Sequence, residues 1–350
     1  MTKAVLIMAG GSGERFWPLS TKERPKQLLS IFSDKPLITK TYERVLPLVG
    51  KDNIFIATNE IQVNALKECL PDVEDKNIII EPMFKDTAAA IGYGSLIISK
   101  YINNPTIAVL ASDHLIQDEE EFRKVLSLAY EEADKDHIVT LGIKPTYPET
   151  GYGYIEVNSS ETNKVAKAVS FREKPNLDTA TAYFESNKYL WNSGMFIFKY
   201  SVIKEEFKKH ANSHYEIINE MGKIVDSNEG VKTAVKLKPL FSRFEKKSID
   251  FAVMEKSDNI YVIPSSFKWN DVGSYEAFDE LFEKDNNGNV VLDSSIVSID
   301  SKNNIIISKD TDIKLSLLGI HDKVIVANNS NVLVCEKNEC QRIKELIRRL

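Results

Sequence analysis

The first half of the chain alternates short, unbroken apolar runs with stretches whose apolar positions recur every three or four residues. "AVLIMA" near the N-terminus, "NIFIAT" (53–58), "NIII" (77–80), "TIAVLAS" (106–112) and "IVTLGI" (138–143) read as strands buried on both faces. Between them, Thr39 to Leu48, Glu60 to Cys69, Thr87 to Tyr101 and Glu119 to Ala133 carry helical spacing. This alternation predicts an α/β fold: a Rossmann-like, mixed but mostly parallel sheet flanked by helices. Ligands of such sheets sit beyond the carboxyl ends of the strands.

From about Thr150 the pattern changes. "GYGYIEV", "KAVSFREKP" and "YLWNSGMFIFK" predict antiparallel or mixed strands, and helices are expected around Ser201 to His210 and Asp250 to Glu255. After "DNNGN" (285–289) come short apolar runs without helices: "VVL", "SIVSI", "NIIIS", "IKLSLLGI", "KVIVAN" and "NVLVCE". These predict a small β-rich domain, a sandwich or a solenoid, although no clean repeat is visible. The expected division is residues 1–285 and 286–350. The tail "NECQRIKELIRRL" places Ile343, Leu346, Ile347 and Leu350 at helical spacing, a short helix that docks on the body.

The loop after the first strand, "AGGSGERFWPLSTKERPKQLL" (9–29), is where the chemistry concentrates. Its glycines let backbone N–H groups approach an anion. Arg15 adds a fork of donors suited to phosphate oxygens, and Lys26 a mobile point charge. The loop lacks the Gly-Lys-Ser/Thr ending of a Walker loop, and Phe16 stands where a dinucleotide fingerprint needs its third glycine. Read by itself, it is a phosphate cradle or a glycine-rich turn with solvated basic residues.

The 350-residue chain has a formal charge of −6, so a local basic stretch argues for an anion site and against a nucleic-acid surface. No stretch is long enough to span a bilayer, and the N-terminal run is too short for a signal peptide. Three scattered cysteines, Cys69, Cys335 and Cys340, predict reduced thiols in a cytoplasm. "HANSH" puts His210 and His214 at i, i+4; without a third ligand this reads as a solvated helix face. His114, beside Asp113, reads as a hydrogen-bonding neighbour. No nucleophile–base arrangement is evident.

The motifs as a set resemble those of the sugar nucleotidyltransferases. "GGSGERFWPLS…RPKQLL" is similar to the family signature G-G-x-G-x-R-[LF]-x-P…P-K, and its Trp-Pro-Leu-Ser and Pro-Lys-Gln variants resemble the branch that uses mannose 1-phosphate and GTP. "EPMFKDTAAAI", "ASDH", "LGIKPTYPETGYGYIE", "FREKP", "NSGMF", "SIDFAVMEK" and "WNDVGSY" follow in the family's order. Lys85, Ala89 and Tyr275 depart from the usual Arg, Pro and Trp; the third looks peripheral. The resemblance implies a GT-A-type fold with a left-handed β-helix-like segment closed by the terminal helix. The chain ends soon after the short strands, so the isomerase domain of some longer relatives is not expected.

It also implies the roles. Asp113 and Asp271 would hold Mg²⁺ against the nucleotide phosphates, which suits an ion that prefers one or two carboxylates plus phosphate oxygens. Arg15 and Lys26 would stabilise departing pyrophosphate. Ala9, Gly10, Gly11, Ser12, Gly13, Glu81, Pro82, Asp86 and Thr87 would line the nucleotide. Gly153, Glu173, Lys174 and Asn192 would hold the sugar phosphate. The implied reaction transfers GMP from GTP to mannose 1-phosphate. Its attacking phosphate is largely dianionic near pH 7, with a second pKa of about 6, so no general base is required. Rival readings are a transferase of the same fold for another hexose or heptose 1-phosphate and a non-catalytic sugar-nucleotide binder. A dinucleotide-dependent oxidoreductase is disfavoured by Phe16. Exposed apolar strands in the small domain predict a homodimer.

Overall fold

The computed structural model describes residues 1–225, 231–292, 296–309 and 314–350, with side chains of 231–233 left aside. The strands are β1 (Lys3–Met8), β2 (Ile54–Asn59), β3 (Ile78–Glu81), β4 (Thr106–Ala111), β5 (Leu115–Ile116), β6 (Ile138–Ile143), β7 (Tyr154–Val157), β8 (Ala166–Arg172), β9 (Tyr189–Lys199), β10 (Ile260–Ser265), β11 (Trp269–Asn270), β12 (Val290–Leu292), β13 (Ile296–Ile299), β14 (Ile305–Ser308), β15 (Leu315–Leu318), β16 (Lys323–Asn328) and β17 (Asn331–Glu336). The helices are α1 (Leu37–Val49), α2 (Val63–Cys69), α3 (Asp86–Tyr101), α4 (Glu119–Ala133), α5 (Leu177–Ser186), α6 (Tyr200–His210), α7 (Asn212–Gly222), α8 (Val231–Ser242), α9 (Phe278–Leu281) and α10 (Ile343–Ile347). Ser295 of "SIVSI" and Ile313 of "IKLSLLGI" lie outside the described residues. No helix among the described residues is long and apolar enough to cross a membrane.

Nine strands form one sheet in the order β3-β2-β1-β4-β9-β6-β10-β8-β7. Pairings β1–β2, β1–β4, β2–β3 and β6–β10 are parallel; β9 runs antiparallel to β4 and β6. Alternate residues of β1 serve opposite layers. Ala4 and Leu6 pack with α3, α6, α7 and α8, whereas Val5 and Ile7 pack with α1, α2 and α4. Burial on both faces is why these strands read as unbroken apolar runs.

The helix expected around Ser201 to His210 is α6, and it ends at His210, before His214 is reached. Ala211 leaves the helical region (φ −144°, ψ 57°), and α7 starts afresh at Asn212. The two histidines therefore do not share a helix face. His214 is buried beside the rings of Phe207 and Phe244, and burial pushes its pKa down. The reading of a solvated face is corrected: His214 is a core residue.

In the C-terminal segment, parallel pairings β12–β14–β16 and β13–β15 stack short strands as coils. Asn289 and Asn304, both fully buried, hold successive coils together. Asn289 Oδ1 accepts from the Asn304 backbone and side-chain amides, and Asn304 Oδ1 accepts from Lys323 N. A two-residue turn, Asn329 and Ser330 with φ of 47° and 65°, closes the β16–β17 hairpin, as left-handed residues favour. This segment shares a core with the glycine loop: Phe16, Leu19, Val272 and Tyr275 pack with Ile305, Val324, Cys340 and Ile343. Its contact with the site is thus apolar and continuous.

Candidate active site

β1 and β4 are parallel neighbours in register Met8↔Ala111, so the loops that follow them emerge side by side. Ala9 is fixed by its N–H to Ala57 O (2.7 Å), and Ser112 by its N–H to Met8 O (3.1 Å). Gln27 and Gln62 both donate to Gly11 O, at 3.2 and 3.1 Å, shaping the loop from behind. Gly13 has φ +60°, and a Cβ there would lie 2.5 Å from Lys26 N. Only glycine allows this approach of the cradle to the 25–28 turn.

Lys26 is not the mobile charge expected of it. It is 4% exposed, and its ammonium donates to Asp271 O (2.8 Å) and Val272 O (2.9 Å) and pairs with Asp113 Oδ2 (2.8 Å). Its three protons are all engaged. One cation therefore ties the end of β4 to the 270–273 turn. Burial opposes the charge on Asp113, but Lys26, with His114, outweighs it and holds that carboxyl below its ordinary pKa. His114 Nδ1 accepts from Trp269 Nε1 (3.1 Å).

The 270–273 turn is strained. Val272, β-branched and fully buried, sits at φ +48°. Its N–H donates to Asn270 Oδ1 (2.7 Å), and Gly273 N donates to Asp271 Oδ1 (3.1 Å). Tyr152 OH donates to the same Asp271 oxygen at 2.8 Å. Tyr275, read as peripheral, is instead a support. Fully buried, its hydroxyl donates to Phe16 O (2.8 Å) and reaches Trp17 O (3.3 Å), anchoring the glycine loop from below.

Two adjoining cavities share Arg15, Asp271 and Gly273. The smaller, about 320 Å³, is lined by Ser12, Gly13, Lys26 and Asp113 as well. The larger, about 530 Å³, reaches Tyr152 and Lys174. Lys174, with φ +42°, pairs with the buried Glu173 at 2.8 Å. Gly153 faces Glu173 so closely that a Cβ would stand 2.5 Å from its Oε2, and Gly153 O accepts from Asn192 N at 2.8 Å. Asn192 Nδ2 donates to Asp250 Oδ1 at 3.0 Å. Burial, reinforced by Glu173, lifts the Asp250 carboxyl to a pKa of about 6. The four sugar-side residues therefore form one connected group with Asp250.

Glu81, Pro82, Asp86 and Thr87 line neither cavity. Glu81 lies against Gly10, whose missing Cβ leaves 3.1 Å to Oε1, and burial raises its pKa to about 8. Asp86 (φ +69°) caps Thr87 N at 2.7 Å, and Thr87 Oγ1 accepts from Ile249 N at 2.8 Å. Both shape the start of α3. Lys85 donates to Ser242 O and Phe244 O, at 2.7 and 2.8 Å, and so fastens the 242–244 segment.

Tyr152 and Asp250 were not singled out from sequence, although both lie inside quoted motifs. Their burial and partners are long-range properties that motif spacing does not carry. Among the described residues, no group of three or more His, Cys, Asp or Glu could hold a metal by itself. Lys26 pairs with the Asp113 carboxylate and the Asp271 backbone carbonyl, and the carboxylates of Asp113 and Asp271 both line the smaller cavity, where they suit a hard divalent ion completed by phosphate oxygens.

Residues 4–288 match the nucleotidyl transferase family, and 294–350 match the MannoseP isomerase/GMP-like β-helix domain. A mannose-1-phosphate guanylyltransferase of Salmonella muenchen is 36% identical over 99% of this chain and 73% of its own length. The alginate biosynthesis protein AlgA of Pseudomonas putida is 33% identical over 99% of this chain and 71% of its own. A crystal structure from Thermus thermophilus, described as a mannose-1-phosphate geranyltransferase, superposes with a TM-score of 0.88 at 32% identity, covering 100% of this chain and 99% of that one.

Proposed function

The chain belongs to the nucleotidyl transferase family, among its mannose-1-phosphate guanylyltransferases, and from that membership we propose how its residues carry out the reaction. GTP and mannose 1-phosphate give GDP-mannose and pyrophosphate. The observation that carries the residue assignment is the Lys26 ammonium, which draws Asp113 and the Asp271 turn to the mouth of the glycine loop. The sugar phosphate, bound near Lys174, attacks the α-phosphorus of GTP in line. Pyrophosphate leaves on the opposite side, toward Arg15. The attacking oxygen is already anionic, so positioning and charge stabilisation do the catalytic work. The proposed catalytic domain spans residues 1–285, and the β-helix-like domain 286–350.

Enzymes of this family use a divalent metal, and we assign Mg²⁺ here, held by Asp113 and Asp271. When bound, such an ion neutralises the phosphates that must meet. Tyr152 fixes Asp271 by its 2.8 Å hydrogen bond, and Lys26 fixes the backbone on which Asp271 sits. Glu173 orients Lys174 and, with Asn192 and Gly153, offers acceptors and donors to sugar hydroxyls. The direct test is pyrophosphate release with Mg²⁺ and a panel of nucleotides and sugar 1-phosphates. GTP with mannose 1-phosphate is expected to be the best pair; silence in every pairing would leave a sugar-nucleotide binder.

Glu81 suits guanine. An ionised carboxylate can accept from N1–H and N2–H₂ together, an edge adenine does not present. Because burial holds this carboxyl near pKa 8, GTP must bind the less populated ionised form at neutral pH. GTP affinity, measured by titration calorimetry, is therefore expected to climb by roughly tenfold per pH unit up to about pH 8, then level off. Glu81→Gln should bind more weakly and lose that slope. An unchanged slope in the variant would remove Glu81 from base recognition.

We assign the homodimer contact to the outward face of β13 and β15, where Val297, Ile299 and Leu318 are 66, 58 and 72% exposed. Val297→Glu with Leu318→Glu should convert a dimer into monomers in sedimentation runs. A wild-type chain sedimenting as a monomer would contradict the assignment.

A further inference from the structure

The phosphate end of the cleft receives a cation from the far end of the chain. α10 buries Ile343, and partly Ile347, on the cluster that contains Phe16, Val272 and Tyr275. Docked in this way, the segment brings Gln341 to the larger cavity and Lys344, three residues on, to the smaller one. Lys344 is partly buried there, and none of the hydrogen bonds and ion pairs found among the described residues engages its ammonium.

Charge makes this placement consequential. The smaller cavity is lined by three carboxylates, Glu14, Asp113 and Asp271, and three cations, Arg15, Lys26 and Lys344. It is balanced before any substrate arrives, yet it faces a polyanion. Lys26 is committed to Asp113 and two carbonyls, so it offers little to a further anion. Arg15 reaches only Gly273 O, at 3.4 Å. Arg15 and Lys344 are therefore the two lining cations without a carboxylate partner among the described residues. A triphosphate with its charge in a partly enclosed cleft recruits such groups strongly.

We propose that Lys344 binds the terminal phosphates of the nucleotide and the pyrophosphate that leaves, which makes the C-terminal helix a wall of the active site. This rests on the guanylyltransferase reading above. The lysine acts as a point charge of the kind that follows a moving phosphate, while Arg15 supplies the fixed fork. The apolar seam under α10 holds it in place.

The test compares wild type with Lys344→Met, which keeps an apolar stem, and Lys344→Arg, which keeps the charge. Wild type is first assayed with GTP and mannose 1-phosphate; no turnover there would defeat the underlying reading, separately from this one. Given turnover, Lys344→Met should lose roughly tenfold to a hundredfold in kcat/KM for GTP and, in the reverse direction, raise KM for pyrophosphate by a similar factor. KM for mannose 1-phosphate should move less than about twofold, and Lys344→Arg should recover most of the loss. Near-wild-type constants in Lys344→Met, or an equal loss for both substrates together with a lowered melting temperature, would overturn the proposal in favour of a packing role.

Discussion

Lys26→Ala is expected to reduce turnover by about a thousandfold and to destabilise the fold as well. The catalytic loss follows from the geometry rather than from a missing phosphate contact. Without the ammonium, Asp113 loses its 2.8 Å partner, and the carbonyls of Asp271 and Val272 lose their donor. Val272 then has less to hold it at φ +48°, and the turn that carries Asp271 can relax. Removal of one preorganised electrostatic element costs about 10²–10³ in turnover; here two carboxylate positions depend on one group. Breaking a buried pair costs about 3–5 kcal/mol. Asp113 retains 38% side-chain exposure, so water will compensate part of this, and about 2–3 kcal/mol is the expected loss. Denaturant unfolding measures it. The pairing also fixes a pH dependence. The folded pKa of Asp113 is depressed, so its contribution is complete above the unfolded carboxyl range and fades as pH falls through the lower folded value. The stability gap between wild type and Lys26→Ala should narrow in acid. A variant with normal turnover, or one as stable as wild type at pH 7, would show that Lys26 does not organise the site.

The difference between what was legible and what was not follows the range of the interactions. β1, β2, β3, β4 and β6 were readable because burial on both faces leaves a local mark, an unbroken apolar run. The position of β9 between β4 and β6 was not readable, since its partners lie far away in sequence. The end of α6 at His210 is legible, but the break at Ala211 carries no Gly or Pro signal, so the i, i+4 spacing of His210 and His214 reads as one solvated face although His214 belongs to a new helix and the core. The site shows the same contrast. Arg15, Lys26, Asp113 and Asp271 stood out through motif and strand-end position, and the fold brings all four to one cavity. Residue type alone made Lys26 a free charge, because its three acceptors come from positions 113, 271 and 272. Tyr275 looked peripheral for the same reason: its acceptors are the carbonyls of Phe16 and Trp17, more than 250 positions away.

Asp271→Asn separates charge from architecture, and it should be nearly silent in stability while costing about a thousandfold in turnover. The amide oxygen can still accept from Tyr152 OH and Gly273 N, the two donors that now reach Asp271 Oδ1. The backbone carbonyl that receives Lys26 is untouched. What disappears is one negative charge from a cavity whose carboxylates otherwise suit a divalent ion. The divalent-ion concentration for half-maximal activity should therefore rise, by roughly tenfold or more, and kcat at saturating ion should stay low. KM for mannose 1-phosphate should change little, because its proposed contacts, Lys174 and Asn192, are not among the groups that bond the Asp271 carboxylate, which are Tyr152 OH and Gly273 N. Steady-state kinetics over a Mg²⁺ series, with thermal unfolding as the control, gives each quantity. Full turnover at high Mg²⁺ would reduce Asp271 to an ion-recruiting residue. Full turnover at ordinary Mg²⁺ would take it out of the chemistry and leave the strain at Val272 without a catalytic reason.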